Sequence, residues 1–289
     1  MVEYKTTPNK DIVRRFDKNK IEVLSLQKGK KLRYIGLPSP ELNDILEWKE
    51  FLDTFVAIER GEQSDRTTAP HNLLLKATIL KIRHKLTLIR GELDDVLLAG
   101  KRYGEINIDY PFDLAFFDFF GGILNKGFNR VNSFKNFFKY QTPNDFLLLM
   151  TFNLKYAEET EELAVIEKIE KELNGFMRND AEKERLTKVI NWYKSKDNFE
   201  QYRQKIFVPY FLRNAEFSGY DVLSEKPVFY LGYNNSPMIH FISWFRYDGS
   251  HTTRAISNQS LLEVVDLDLD IVNDGSITKC DLQAPKFFD

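Results

Sequence analysis

The chain has 289 residues, 43% of them hydrophobic and 29% charged, enough for one large α/β domain with insertions or two small ones. Its formal net charge of −2 excludes a global field that would draw it onto nucleic acid or an anionic membrane. A single cysteine, Cys280, excludes a disulfide framework and a thiolate metal cluster.

The N-terminal stretch is polar, and no apolar run approaches the ~18 residues that cross a bilayer. The expectation is a soluble cytoplasmic protein with no membrane contact. Residues 1–30 carry Lys5, Lys10, Arg14, Arg15, Lys18, Lys20, Lys28 and Lys30 against Glu3, Asp11, Asp17 and Glu22. Such a run reads as a solvated basic arm, or as a contact to nucleic-acid phosphates beside an active site.

Lys31–Ile35 is short, β-prone and stopped by Gly36, and predicts the first strand. After Leu37-Pro38-Ser39-Pro40, the spacing of Leu42, Ile45, Leu46, Trp48 and Leu52 predicts a helix over Glu41–Leu52. Thr54–Ile58 is a second buried-type strand running into Glu59-Arg60-Gly61. Pro70 is placed to open a helix carrying Leu73, Leu74, Ala77, Leu80 and Ile82. Lys85–Ile89 is a third strand, ending at Arg90-Gly91-Glu92-Leu93-Asp94-Asp95. Phe112–Phe117 is a fourth, ending at Asp118-Phe119-Phe120-Gly121-Gly122, and Asp145–Phe152 is a fifth. Strands alternating with helices imply parallel pairing in a layered α/β sheet.

Residues 157–205 are highly charged. Leu163, Ile166, Ile169 and Leu173 form one helical face and Leu186, Val189, Ile190 and Tyr193 another. The pattern predicts a helical pair inserted into the domain, its apolar stripes covered by each other, by the domain body or by a second subunit. Phe207–Glu216 predicts a further helix. Tyr220–Leu223, Pro227–Tyr233 and Met238–Tyr247 predict strands, with a hairpin turn at Asn234-Asn235-Ser236-Pro237. In residues 251–289, Val265, Leu267, Leu269 and Ile271 alternate with Asp266, Asp268 and Asp270. The acidic run invites a calcium loop, but Ile271 stands where that loop needs glycine. A half-buried strand turning at Asn273-Asp274-Gly275 fits better.

Ligands of an open parallel sheet bind at the carboxyl ends of its strands. The leading strands end at Gly36, Glu59, Gly91-Glu92 and Asp118. Gly36 permits close approach to the backbone, and Glu59 can accept both hydrogens of a ribose diol. Glu92 or Asp94 can accept from an adenine amino group, and Asp118 faces the reacting centre. His71, His84, His240 and His251 show no metal-ligand spacing and read as structural or exposed. No Gly-x-Gly-x-x-Gly follows a strand, and a P-loop is absent.

The order of β/α units, followed by Gly219-Tyr220, a strand, a tight turn and a last strand, resembles the class I S-adenosylmethionine-dependent methyltransferases over roughly residues 30–247. The resemblance implies a Rossmann-like α/β sheet, mostly parallel with the last strand antiparallel, spanning residues 31–250 with the helical insertion at about 157–205 and the C-terminal β-hairpin beyond. It implies S-adenosylmethionine as cofactor, with Gly36, Leu37 and Pro38 as the first cofactor motif, Glu59 and Arg60 at the ribose, and Glu92 and Leu93 at the adenine. Where the family has an acidic residue and several glycines, this chain has Tyr34-Ile35-Gly36-Leu37-Pro38-Ser39-Pro40. Asp118-Phe119-Phe120-Gly121 resembles the loop of enzymes that methylate exocyclic amines of nucleobases. There the acid orients the amine and an aromatic ring stacks on the base, which implies catalytic-side roles for Asp118, Phe119 and Phe120. Methyl transfer needs no dedicated nucleophile, so the lack of a Ser–His or Cys–His pairing excludes nothing. Two functions follow as expectations: a methyltransferase with nucleic-acid bases slightly favoured as acceptor, or a methyltransferase-like scaffold without transfer, acting as a sensor that binds a nucleotide or S-adenosylmethionine, or as a subunit of a larger complex.

Overall fold

The computed structural model describes residues 7–59, 68–119, 121–123, 130–154, 159–175, 177, 179–212, 215, 218–249, 268–280 and 282. The expected strand residues Val265 and Leu267 and the histidine His251 lie outside them.

The basic N-terminal stretch is a docked helix, α1 (Pro8–Lys28), in place of the expected solvated arm. Thr7 caps it by accepting the Lys10 N–H, Pro8 sits in the first turn, and Gly29 closes it in a left-handed conformation (φ 60°). Positions 10, 14, 17, 21 and 24 are spaced 4-3-4-3, the spacing of one helical face. Arg14, Asp17, Ile21 and Leu24 are buried along that face. The charge run therefore mixes a solvated side with a side that faces the protein.

Next come β1 (Leu32–Gly36), α2 (Asn43–Trp48), β2 (Leu52–Glu59), α3 (Thr68–Ile79), β3 (Leu86–Arg90) and α4 (Leu93–Ala99). Helix α2 is half the length its periodicity predicts. Leu42, at its N-cap, takes the left-handed region (φ 56°), and Leu52 already belongs to β2. A small hairpin, β4 (Arg102–Tyr103) and β5 (Ile106–Asn107), precedes β6 (Leu114–Phe119), α5 (Arg130–Gln141) and β7 (Phe146–Asn153). Then follow α6 (Glu159–Asn174), α7 (Asp180–Lys194), α8 (Lys196–Leu212), β8 (Tyr220–Ser224), β9 (Val228–Leu231), β10 (Pro237–Tyr247), β11 (Leu269–Asn273) and β12 (Ser276–Cys280).

The sheet runs β12-β11-β9-β10-β7-β6-β1-β2-β3, with β8 also on β10. Strands β3, β2, β1, β6 and β7 are mutually parallel, and β10 is antiparallel to β7. This is the Rossmann-like, methyltransferase-type sheet expected from the sequence. Strand β10 is long enough to hold β9 at its start and β8 at its end. The C-terminal hairpin adds to the sheet through β11, parallel to β9. Asp268 pairs with Lys226 at 2.9 Å, and no group of three metal-ligating side chains exists among the described residues.

One core lies between the sheet and α1–α3, around Tyr34, Trp48, Phe55, Leu73 and Phe116. A second lies under α4–α8, around Phe117, Phe137, Phe146 and Phe207, and a small third joins Val13 of α1 to Val228, Tyr230 and Val272. The charged region at 157–205 forms parts of three helices, where the sequence predicts a pair, with α8 running on to absorb much of the expected Phe207–Glu216 helix. Its stripes Ile166, Ile169, Leu173, Leu186, Val189, Ile190 and Tyr193 are buried in that second core. They are covered within the chain and need no second subunit to be satisfied. No helix among the described residues is long and apolar enough to cross a membrane.

Candidate functional site

Helix α2 and α3 carry the chain outward from β1 to β2 to β3, and the next long strand, β6, returns to the other side of β1. The strand order reverses between β1 and β6, and a crevice at their carboxyl ends is the expected ligand position of such a sheet. Gly36 pairs with Ala57 on β2 and Phe116 on β6, Glu59 pairs with Arg90 on β3, and Asp118 pairs with Thr151 on β7. The sequence-predicted residues Gly36, Glu59, Glu92 and Asp118 therefore share one edge of the sheet. By strand alternation Gly36, Glu59 and Asp118 also share one face with Tyr34 and Phe116, the face that carries α1 and α2. Arg60 and Phe120 lie outside the described residues.

Several of these residues have partners that their sequence does not reveal. A Cβ at position 36 would fall within contact distance of the Tyr34 hydroxyl and 2.5 Å from the Phe116 carbonyl oxygen. Gly36 is required by the chain's own packing, whatever ligand it also meets. The Tyr34 hydroxyl and the Ser39 Oγ are buried without a hydrogen-bond partner among the described residues, and burial pushes the Tyr34 hydroxyl far above its ordinary ionisation range. Leu37 is half-buried and Pro38 buried in the loop between these two hydroxyls.

At the third strand, Tyr103 of β4 leans against Gly91. Glu92 is half-buried at the N-cap of α4, with no side-chain capping bond. Leu93 is part of the core under α4. Asp94, the alternative adenine acceptor, is withdrawn from the edge. It is buried, its carboxylate is 3.8 Å from Arg130 Nε, and burial raises its pKa against the opposing pull of Ser133 and Arg130.

Asp118 lies inside β6, one residue before its end, with 22% of its side chain exposed. Its carboxylate accepts from Lys10 Nζ of α1. Phe119 points to the opposite face and is not free to stack on a base. Its ring stacks on Phe152 with centroids 5.0 Å apart and lies under the Arg130 guanidinium at 4.4 Å. The backbone beyond β6 is held from below. Arg130 donates to the Gly122 carbonyl, and the Ile123 N–H donates to Gln204 of α8 at 3.0 Å.

Beside Asp118, the α1 face carries a buried polar chain that sequence reading missed. His240 Nε2 is 2.9 Å from Asp17 Oδ1, and His240 Nδ1 is 2.9 Å from Thr151 Oγ1. These three side chains are 0–1% exposed. One assignment of hydrogens satisfies both bonds: Thr151 donates to His240 Nδ1, and His240 Nε2 donates to the Asp17 carboxylate. Burial raises the Asp17 pKa, and His240 opposes that shift. Arg14, one turn of α1 away, bonds Asp44 of α2 at 2.5 Å and Asp11 at 2.6 Å, and its backbone carbonyl accepts from Trp48 Nε1 at 3.0 Å. Helix α1 is thus tied to β10 and to α2 across the tips of the strands. The 4-3-4-3 spacing was the available signal; the partners, 223 and 30 residues away, gave none.

A cleft of about 740 Å³ opens between the first turns of α1, the start of α2 and the β11–β12 turn. Asp11, Arg15, Asn43, Glu47 and Gly275 line it.

No protein-family model matches the chain, and no curated protein does. Solved structures do. The chain is similar to an S-adenosylmethionine-dependent methyltransferase from Agrobacterium tumefaciens, with 10% identity and a TM-score of 0.45 over 83% of this chain and 62% of that one. It is similar to the O-methyltransferase TomG from Streptomyces achromogenes, solved with S-adenosylmethionine, with 13% identity and a TM-score of 0.39 over 79% and 80%. It is also similar to precorrin 8w decarboxylase from Methanobacterium thermoautotrophicum, with 12% identity and a TM-score of 0.37 over 77% and 89%. At these identities and scores no residue correspondence follows, and the fold assignment stands on the strand order and directions described above.

Proposed function

We propose that the chain binds S-adenosylmethionine at the tips of β1, β2 and β3 and transfers its methyl group to an acceptor held near Asp118. One observation carries this reading: the strand order reverses between β1 and β6, with Glu59 and Asp118 on the same face at either side of that reversal. The donor set fits the cofactor. Glu59 offers a half-buried carboxylate for the ribose hydroxyls, and the buried hydroxyls of Ser39 and Tyr34 lack partners among the described residues. Unpaired buried hydroxyls are costly, and a polar ligand beside the Gly36–Pro40 loop would relieve that cost.

The cofactor supplies an activated methyl group when bound. The chain's own residues then have to align the acceptor, exclude water and take up a proton. Glu59 and the Gly36–Ser39 loop hold and orient the donor, and Glu92 lies at the adenine side, while Leu93 is taken up by the core. Asp118 accepts a hydrogen bond from the acceptor's N–H or O–H, turning its lone pair toward the methyl group. The burial of Phe119 removes one support for a nucleobase acceptor. Arg15, exposed on α1 beside the cleft, keeps a phosphate-bearing acceptor in view.

Incubation with donor labelled in the methyl group, followed by separation of DNA, RNA and protein pools, tests the reading. Label in one pool, reduced at least about a hundredfold by Asp118→Ala as for loss of a positioned acid–base group, is the expected result. Equal labelling by wild type and Asp118→Ala would remove Asp118 from the mechanism.

Two observations favour a second reading, a methyltransferase-like scaffold that does not transfer. The Tyr34 hydroxyl fills the space at Gly36, and Lys10 already occupies Asp118. Under this reading no pool is labelled, whether or not the donor binds.

A further inference from the structure

We propose that Lys10 is a member of the acceptor-side site, and that Asp17 and His240 are positioning residues that deliver it there. For its catalytic readout this rests on the methyltransferase reading above; its structural readout does not. Three neighbouring strands place Asp118, Thr151 and His240 side by side on one face, because Asp118 pairs with Thr151 and Thr151 with His240. Two of these three positions are bound by α1, Asp118 by Lys10 and His240 by Asp17.

Asp17 is seven residues after Lys10, two turns along the same helical face. Fixing Asp17 on His240 therefore fixes the height and rotation of the helix that presents Lys10. The second fastening, Arg14 on Asp44, lies between them. A lysine held only by solvent-exposed pairing would swing freely and contribute little. Lys10 is instead carried by a helix whose buried face is bonded at 14 and 17, and its side chain is 26% exposed. The ammonium group holds the carboxylate of Asp118 in one orientation while no acceptor is present. When an acceptor N–H or O–H reaches Asp118, Lys10 remains beside it as a fixed positive charge that a phosphate or carbonyl oxygen of the acceptor can meet, leaving the attacking lone pair free for the methyl group.

Competitive labelling with an amine-directed reagent tests the placement without any cofactor. In the wild type, Lys10 should react roughly tenfold more slowly than exposed Lys31, as expected for an amine held in one charge-assisted hydrogen bond. Asp118→Ala and Asp17→Leu should each bring Lys10 toward the rate of Lys31, and His240→Leu should do the same. Equal reactivity of Lys10 and Lys31 in the wild type would overturn the proposal. Unchanged Lys10 reactivity in folded Asp17→Leu would overturn the positioning role. If the variants fail to fold, amide exchange in the wild type decides: residues 10–17 should be protected like the sheet, and rapid exchange there would contradict the account.

In the transfer assay, Lys10→Met should lower kcat about tenfold or more, the effect of losing one charge-assisted contact in the transition state. KM for the donor should stay unchanged, and Lys10→Arg should restore part of the loss. A Lys10→Met enzyme with wild-type kcat would overturn the site role. Failure of the wild type to bind donor at all would fall on the proposed function, and the labelling result would still judge Lys10.

Discussion

The Tyr34 hydroxyl occupies the space into which a side chain at Gly36 would grow. Two residues apart on β1, they lie on the same face, and the tyrosine leans along the strand toward its carboxyl end. Gly36→Ala should therefore destabilise the fold by about 1–3 kcal/mol through overpacking. Adding Tyr34→Phe should recover only part of that loss, because the Phe116 carbonyl still crowds the new methyl group. Urea unfolding of both variants reads this directly, and a Gly36→Ala protein as stable as wild type would contradict the packing described.

Tyr34→Phe alone should have the opposite sign. It deletes a buried hydroxyl without a partner among the described residues, so the free protein should gain about 1 kcal/mol, seen as a higher urea midpoint at an unchanged slope. The same variant should bind the donor more weakly if the hydroxyl serves the ligand. A loss of stability in the ligand-free variant would show that the hydroxyl has a partner in the folded chain.

The buried carboxylate of Asp113 joins α1 to the start of β6. It is bonded by Lys28 at 2.9 Å, Lys30 at 3.1 Å and the Arg33 N–H at 3.0 Å. Burial alone would raise its pKa, but these three donors outweigh burial and hold it below the usual carboxylate range. A folded-state pKa below the unfolded value gives stability that is complete above the unfolded pKa of about 4 and is lost as pH falls through the folded value. The stability difference between wild type and Asp113→Asn should be constant near neutral pH and shrink below pH ~4. A difference that grows on acidification would reverse the sign of the shift.

The loop beyond Asp118 depends on Arg130 and Gln204. Arg130→Met leaves the buried Asp94 carboxylate without its cation and should cost about 3–5 kcal/mol. Gln204→Leu leaves the Ile123 N–H unpaired and should cost about 1–3 kcal/mol. Proteolysis or amide exchange at residues 121–123 should quicken in both variants. Unchanged protection there would remove α8 as the support of the site.

Much of this architecture was legible in the sequence. Within Thr54–Ile58 and Asp145–Phe152, the uninterrupted apolar runs Phe55–Ile58 and Phe146–Met150 announce strands, and β7 is buried on both faces. The Asn273-Asp274-Gly275 turn is equally plain, with left-handed backbone at Asp274 and Gly275. Helix α2 was overestimated because its end is set by where β2 begins pairing with β1, a long-range event. The tip residues 36, 59, 92 and 118 could be placed on one edge from strand ends alone. What those tips touch could not. Lys10 on Asp118 and Asp17 on His240 join residues far apart in the chain, and Phe119 faces the core because Asp118 proved to be inside the strand, which fixes the alternation. His240, read as structural, is structural in a specific way: it fastens α1.

Calorimetric titration with S-adenosylmethionine and S-adenosylhomocysteine tests the central claim most directly. The account predicts saturable binding in the micromolar range, lost in Glu59→Ala and kept in His84→Ala, a change at an exposed residue far from the strand tips. No binding by the wild type, or binding that Glu59→Ala leaves intact, would contradict it.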